Sequence, residues 1–144
     1  MTAKMNTNTL LWAGIVLAAV IVLVAGCSAA SKAKAAAAET GFVSLSVDEF
    51  EKAIADPNVI RVDVRSQEEW DEGHIPGSIV IDVQKDDFLE KAKALLPKDK
   101  TIAVNCRTGR RSKTAAGILA GEGYKVIDLD TGFVGWKEAG KPVE

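Results

Sequence analysis

The chain has 144 residues, 26% of them Asp, Glu, Lys or Arg, and a formal net charge of −2 at pH 7. So small a charge supplies no global basic field, and no nucleic-acid partner is expected. The 47% hydrophobic content overstates the core, because much of it lies in residues 10–26 and in the alanines of residues 33–38; what remains, about a hundred residues, suits one modest domain.

In chain order, Lys4 precedes an uncharged apolar run from Leu10 to Val24 that ends in Ala25-Gly26-Cys27. A weakly basic start, an apolar centre and small residues before a boundary have the layout of a secretory signal. Val24-Ala25-Gly26-Cys27 resembles the bacterial lipobox, with Val24 where leucine is commoner. The resemblance implies acylation of Cys27, which becomes the mature N-terminus. The protein would then be a lipoprotein of the bacterial cell envelope, anchored to a membrane with its domain on the extracytoplasmic, periplasmic side. An uncleaved single-pass membrane helix is the alternative, since residues 10–30 are uncharged and reach the ~20 residues that span a bilayer; ordinary secretion is the third reading. Residues 28–39 are rich in Ala, Ser and Lys, with nothing apolar larger than alanine, and read as a tether. The expected organisation is 1–26 as signal peptide or membrane anchor, 27–40 as lipidated Cys27 and tether, and 41–144 as the folded domain.

The domain opens with Phe42-Val43-Ser44-Leu45, a short strand, and Ser46-Val47-Asp48-Glu49, a capping box that starts a helix ending before Pro57. The run 59–64 is β-branched and ends in charge, the character of a parallel strand buried in a sheet. Residues 68–72 form a short acidic helix cut by Gly73, and Ser78-Ile79-Val80-Ile81 reads as another strand. Phe88, Leu89, Ala92, Leu95 and Leu96 recur at helical spacing before Pro97. Thr101-Ile102-Ala103-Val104 is a strand, residues 113–120 a helix, 125–129 a strand and 132–139 a last helix packing Phe133 and Trp136. Strands alternating with helices make an α/β domain with a central parallel sheet covered on both faces.

Between one of these strands and its helix lies Asn105-Cys106-Arg107-Thr108-Gly109-Arg110-Arg111-Ser112. Cys106 therefore falls at the carboxyl end of a strand, where such sheets bind ligands, and at a helix N-terminus, where unpaired N–H groups and the dipole favour an anion such as a thiolate. Four cations, Arg107, Arg110, Arg111 and Lys113, crowd the same turn, with no acid between Lys100 and Glu122. An inert buried cysteine is the competing reading, but it has no use for three arginines within five residues. Cys106 is taken as a nucleophile in an anion-binding cup. Cys27 and Cys106 offer no disulfide within the chain, and with His74 the only histidine no metal or other cofactor is expected.

The segments 63–79, Cys106-Arg107-Thr108-Gly109-Arg110-Arg111-Ser112, and Gly132-Phe133-Val134-Gly135-Trp136 occur in that order, and over residues 41–142 the chain resembles a single-domain rhodanese. It departs at Thr131, where many members carry a second glycine. The resemblance implies a sulfurtransferase: Cys106 takes the sulfane sulfur of thiosulfate or a similar donor as a persulfide, and a thiol or cyanide accepts it. It also implies that Arg107, Thr108, Gly109, Arg110 and Arg111 wrap the sulfur and the leaving oxyanion, chiefly with backbone N–H groups. A membrane-tethered sulfur-relay or partner-binding module with little turnover of its own is the alternative. Phosphatases and some arsenate reductases of related fold place an arginine six residues after the cysteine; here that position is Ser112 and Arg111 comes one earlier, a tighter loop that suits one sulfur atom. His74 is expected to anchor a loop, Asp63 and Arg65 to form a structural pair, and Trp70 and Trp136 to belong to the core.

Overall fold

Alternation of β-branched runs with capped helical segments gives ten elements within residues 41–144, the part of the computed structural model that is described. In order they are β1 (Phe42–Leu45), α1 (Val47–Ile54), β2 (Val59–Asp63), α2 (Gln67–Asp71), β3 (Ile79–Val80), α3 (Phe88–Leu95), β4 (Thr101–Asn105), α4 (Arg110–Gly121), β5 (Lys125–Leu129) and α5 (Gly132–Glu138). The expectations for residues 1–40, namely the apolar run, the tether and lipidation of Cys27, lie outside the described residues. Among those described, no helix is long and apolar enough to cross a membrane.

The strands form one sheet in the order β1-β5-β4-β2-β3, with every neighbouring pair parallel. β4 is central, its residues Ile102 to Asn105 buried on both sides, so it reads as a continuous apolar run rather than an alternation. Period-two geometry still divides it. Ile102, Val104 and Cys106 share one core with Phe88, Ala92, Ala115 and Leu119 from α3 and α4, while Ala103 joins Phe50, Ile54, Phe133 and Trp136 from α1 and α5 on the other face. Both faces of the sheet are therefore covered, as the α/β pattern requires.

The local start signals behave as read at α1, where Ser46 and Glu49 close a reciprocal capping box. A second box, Ser66 with Glu69, starts α2 one residue earlier than the acidic run suggests. β3 is shorter than the expected 78–81 because it lies at the sheet edge and the Ser78 N–H closes a turn onto the Ile75 carbonyl, 3.1 Å away. Asp63 and Arg65 form the expected structural pair, Nη2 to Oδ2 2.7 Å, both buried. The guanidinium also donates to the Gly73 carbonyl at 2.8 Å and lies over the Phe133 ring at 4.4 Å. One buried cation thus ties the loop after β2 to α5, and neutralisation by Asp63 makes its burial tolerable.

Candidate active site

β4 delivers Cys106 to the carboxyl edge of the sheet at its centre, with 1% of the residue exposed. The next three residues make the turn into α4, and Gly109 is its N-cap at φ +94°. That left-handed conformation suits glycine, and a Cβ at Gly109 would stand 2.0 Å from the Asp130 carbonyl oxygen. Only a bare backbone fits there, and its N–H donates to Cys106 Sγ at 3.1 Å. The loop is gripped from the other side by the start of α5. Phe133 and Val134 donate backbone N–H bonds to the carbonyls of Cys106 (2.8 Å) and Arg107 (3.0 Å), and Gly132, at φ +64°, approaches so closely that a Cβ would lie 2.5 Å from the Arg107 oxygen. Thr131 itself has an ordinary right-handed backbone, φ −90° and ψ −2°, so the turn does not require the second glycine common in similar sequences.

The charges around the cup correct the sequence expectation of four unopposed cations. Arg111 makes two hydrogen bonds to the Glu69 carboxylate, at 2.7 and 2.8 Å, a bidentate geometry. Lys113 pairs with Asp130 at 2.8 Å and with the buried Asp128 at 3.2 Å. Burial opposes the ammonium, but Asp130 and Asp128 outweigh it and hold the Lys113 pKa above its ordinary value. No acid adjoins the loop in sequence; parallel topology brings these carboxylates from the segment after β2, from β5 itself and from the turn after β5. Of the four, Arg107 and Arg110 are exposed and have no ion-pair partner among the described residues. Thr108 is exposed beside them.

The Arg111–Glu69 pair predicts a pH dependence. Hydrogen bonding from Arg111 lowers the Glu69 pKa from 4.5 to about 2, against a smaller opposing effect of burial. A carboxyl depressed on folding stabilises the native state fully above its unfolded pKa and loses that contribution as pH falls through the folded value. A part-exposed pair of this kind contributes about 1 kcal/mol. Urea unfolding of the parent and Glu69→Gln is therefore expected to differ by about that amount above pH 5 and to converge as pH falls from 4.5 towards about 2. A gap that persists into that acid range would show that Glu69 acts through something other than its charge.

Beside the loop opens a cleft of about 250 Å³, walled by Arg107, Arg65, Glu69, Glu72, Phe133 and Lys137 among others. Of these only Arg107 was legible in the sequence as a site residue; Arg65 was expected there as half of a structural pair. Glu69, Glu72 and Lys137 reach the site through the topology, since α2 follows β2 and α5 follows β5 on the same edge. His74 anchors its loop as expected: Nδ1 lies 2.9 Å from the Trp70 carbonyl and the ring stacks on Trp70 at 3.6 Å. Trp136 is buried in the core, whereas Trp70 is half-buried and donates from Nε1 to Ser78 Oγ at 3.2 Å.

The chain is similar to known proteins over this whole region. The model of the family described as Rhodanese-like domain matches residues 46–139. YtwF of Bacillus subtilis is 36% identical over 92 residues, which cover 64% of this chain and 86% of that protein. Thiosulfate sulfurtransferase GlpE of Pseudomonas savastanoi pv. phaseolicola is 34% identical over 88 residues, 60% of this chain and 79% of that one. Among solved structures, that of a rhodanese-related protein from Thermoplasma volcanium matches with a TM-score of 0.63 at 33% identity, covering 70% of this chain and 96% of the other.

Proposed function

Since the chain belongs to the rhodanese-like domain family, matched over residues 46–139, we propose that it is a sulfurtransferase carrying sulfane sulfur from thiosulfate or a similar donor to a thiophilic acceptor through a persulfide on Cys106. The observation that carries this reading is the placement of Cys106 Sγ, buried at the end of the central strand with the Gly109 N–H aimed at it from 3.1 Å. A thiolate there attacks the outer sulfur of thiosulfate. Its electron pair makes the new S–S bond, the old S–S bond breaks, and its pair leaves on sulfite. The persulfide then gives its outer sulfur to a thiolate or to cyanide, forming a new persulfide or thiocyanate and restoring the Cys106 thiolate.

Each loop residue has a role in that scheme. Gly109 donates to the reacting sulfur, and the first N–H groups of α4, at Arg110 and Arg111, lack partners four residues back and favour negative charge at the mouth. Arg107 and Arg110, exposed and unpaired among the described residues, attract the anionic donor, while Thr108 completes the turn between them. Arg111 is held by Glu69, which disfavours a phosphatase-like role in which it would clasp a phosphoryl group. Cys27, lipidated, would hold the domain at an envelope membrane.

Intact-mass measurement tests the chemistry. Treatment with thiosulfate is expected to add one sulfur atom, about 32 Da, and cyanide to remove it with release of thiocyanate. A mass unchanged by thiosulfate and by other sulfane donors would overturn sulfur transfer and leave a partner-binding module.

A further inference from the structure

Sulfur transfer as drawn above gives Lys113 no part, yet its ammonium meets four oxygens. Nζ lies 3.5 Å from the Gly109 carbonyl, 3.3 and 2.8 Å from the carbonyl and carboxylate of Asp130, and 3.2 Å from the Asp128 carboxylate. Two carboxylates more than match its single charge, so it is poorly suited to attracting a donor anion. Two of the contacts fall at the tightest point of the cup. The Asp130 oxygen that accepts from Lys113 is the one packed against Gly109, where a Cβ would stand 2.0 Å from that oxygen and 3.2 Å from Nζ. The carbonyl oxygens of Gly109 and Asp130 thus converge on one ammonium, whose charge offsets the repulsion between them. Gly109 is in turn the residue whose N–H donates to Cys106 Sγ at 3.1 Å. The far end of the tie is anchored in the sheet. Asp128 is 0% exposed, its Oδ2 accepts from Ser44 on β1 at 2.9 Å, and its Oδ1 has no hydrogen-bond partner among the described residues. A buried carboxylate so thinly solvated depends on its counter-ion, and the β5 strand that carries it is paired on both sides, with β1 and with β4.

We propose that Lys113 is a positioning residue for sulfur transfer: pinned to the sheet by Asp128, it holds the Gly109 and Asp130 carbonyls together and so fixes the Gly109 N–H on Cys106 Sγ. The inference rests on the sulfurtransferase reading and adds the residue that sets the geometry of its sulfur-facing donor. Lys113 acts through Gly109 and touches neither the sulfur nor the donor anion. Without the ammonium the two carbonyls repel and the start of α4 shifts. A displacement of about 1 Å near a reacting centre costs up to about a hundredfold in rate, and partial loosening of one donor about tenfold.

The test follows loading of Cys106 in the full chain by mass, in single turnovers, as the thiosulfate concentration is raised. Lys113→Met keeps an apolar stem and removes the ammonium. It is expected to lower the maximal loading rate about tenfold while the half-saturating thiosulfate concentration stays within about twofold. It also strands the Asp128 carboxylate, so a lower melting temperature is expected. Lys113→Met combined with Asp128→Asn removes the stranded charge and is expected to recover most of the melting temperature but not the rate, because the two carbonyls still lack their ammonium. The Gly109 amide resonance in a proton–nitrogen correlation spectrum is expected to move in both variants while amides at the far end of α4 stay in place. A rate that returns with the melting temperature in the double variant makes Lys113 purely structural and overturns the proposal. So does a raised half-saturating concentration with the maximal rate intact, the mark of a cation that attracts the donor. A parent that gains no mass from thiosulfate or other sulfane donors overturns the sulfurtransferase reading instead. The hold of Lys113 on Gly109 is then decided by the amide resonance alone, and an unmoved resonance overturns it.

Discussion

Cys106→Ser is expected to abolish sulfur transfer while leaving the fold in place. Serine keeps an acceptor near the Gly109 N–H, which now lies 3.1 Å from Sγ, and it is nearly the same size. What it loses is the polarisable, thiophilic atom that forms the S–S bond. Removing the nucleophile of a covalent mechanism lowers turnover by at least about a thousandfold, because no other group can carry the intermediate. The stability cost is small by comparison. A hydroxyl replaces a thiol in the core formed with Val64, Ile81 and Val104, and with one hydrogen bond retained the penalty is about 1 kcal/mol. Thiocyanate formation, the sulfur mass gain and a thermal melt measured on the same preparation separate the two effects. Retention of more than a few per cent of parent activity by a well-folded Cys106→Ser protein would move the chemistry elsewhere; no other cysteine lies among the described residues.

How far the sequence discloses this arrangement depends on the range of the contacts involved. The five strands, their parallel sense and the burial of β4 follow from β-branched runs alternating with helical ones, because such signals are local and cooperative. The position of Cys106 at a strand end and helix start follows from the same pattern, and Gly109 from the turn between them. The charge state of the cup does not. Reading along the chain finds four cations and no acid, yet folding sets Glu69 against Arg111 and the pair Asp128 and Asp130 against Lys113. Those carboxylates are 42, 15 and 17 residues away from their partners, and only the strand order β5-β4-β2 makes them neighbours. The cleft residues Glu72 and Lys137 escape notice for the same reason: each reads as a solvated charge on a short helix. The Asp63–Arg65 pair, two residues apart, was legible because its geometry is local.

Two glycines eight positions apart, one the N-cap of α4 and one in its middle, are expected to respond oppositely to alanine. Gly117 is exposed in the helix interior, and a Cβ there meets nothing within 4 Å. Alanine at 117 removes backbone freedom from the unfolded chain and is expected to stabilise the domain by about 0.5–1 kcal/mol with activity unchanged. Gly109 has φ +94° and a Cβ position 2.0 Å from the Asp130 oxygen, a separation at which the backbone must move. The strained dihedral costs about 1 kcal/mol or more for alanine, and relief of the overlap adds about 1–3 kcal/mol. The movement has a chemical consequence, because the N–H that shifts is the one donating to Cys106 Sγ. Loss of one such preorganised donor lowers turnover by about a hundredfold or more. Gly109→Ala is therefore expected to lower the melting temperature and to reduce sulfur transfer far beyond the fraction unfolded, with Gly117→Ala as the matched control. The readout that decides the point is activity per folded molecule, taken at a temperature well below either melt. Parent-like activity per folded Gly109→Ala molecule would mean that the N–H contact to sulfur is structural and that the anion is stabilised by other donors at the start of α4.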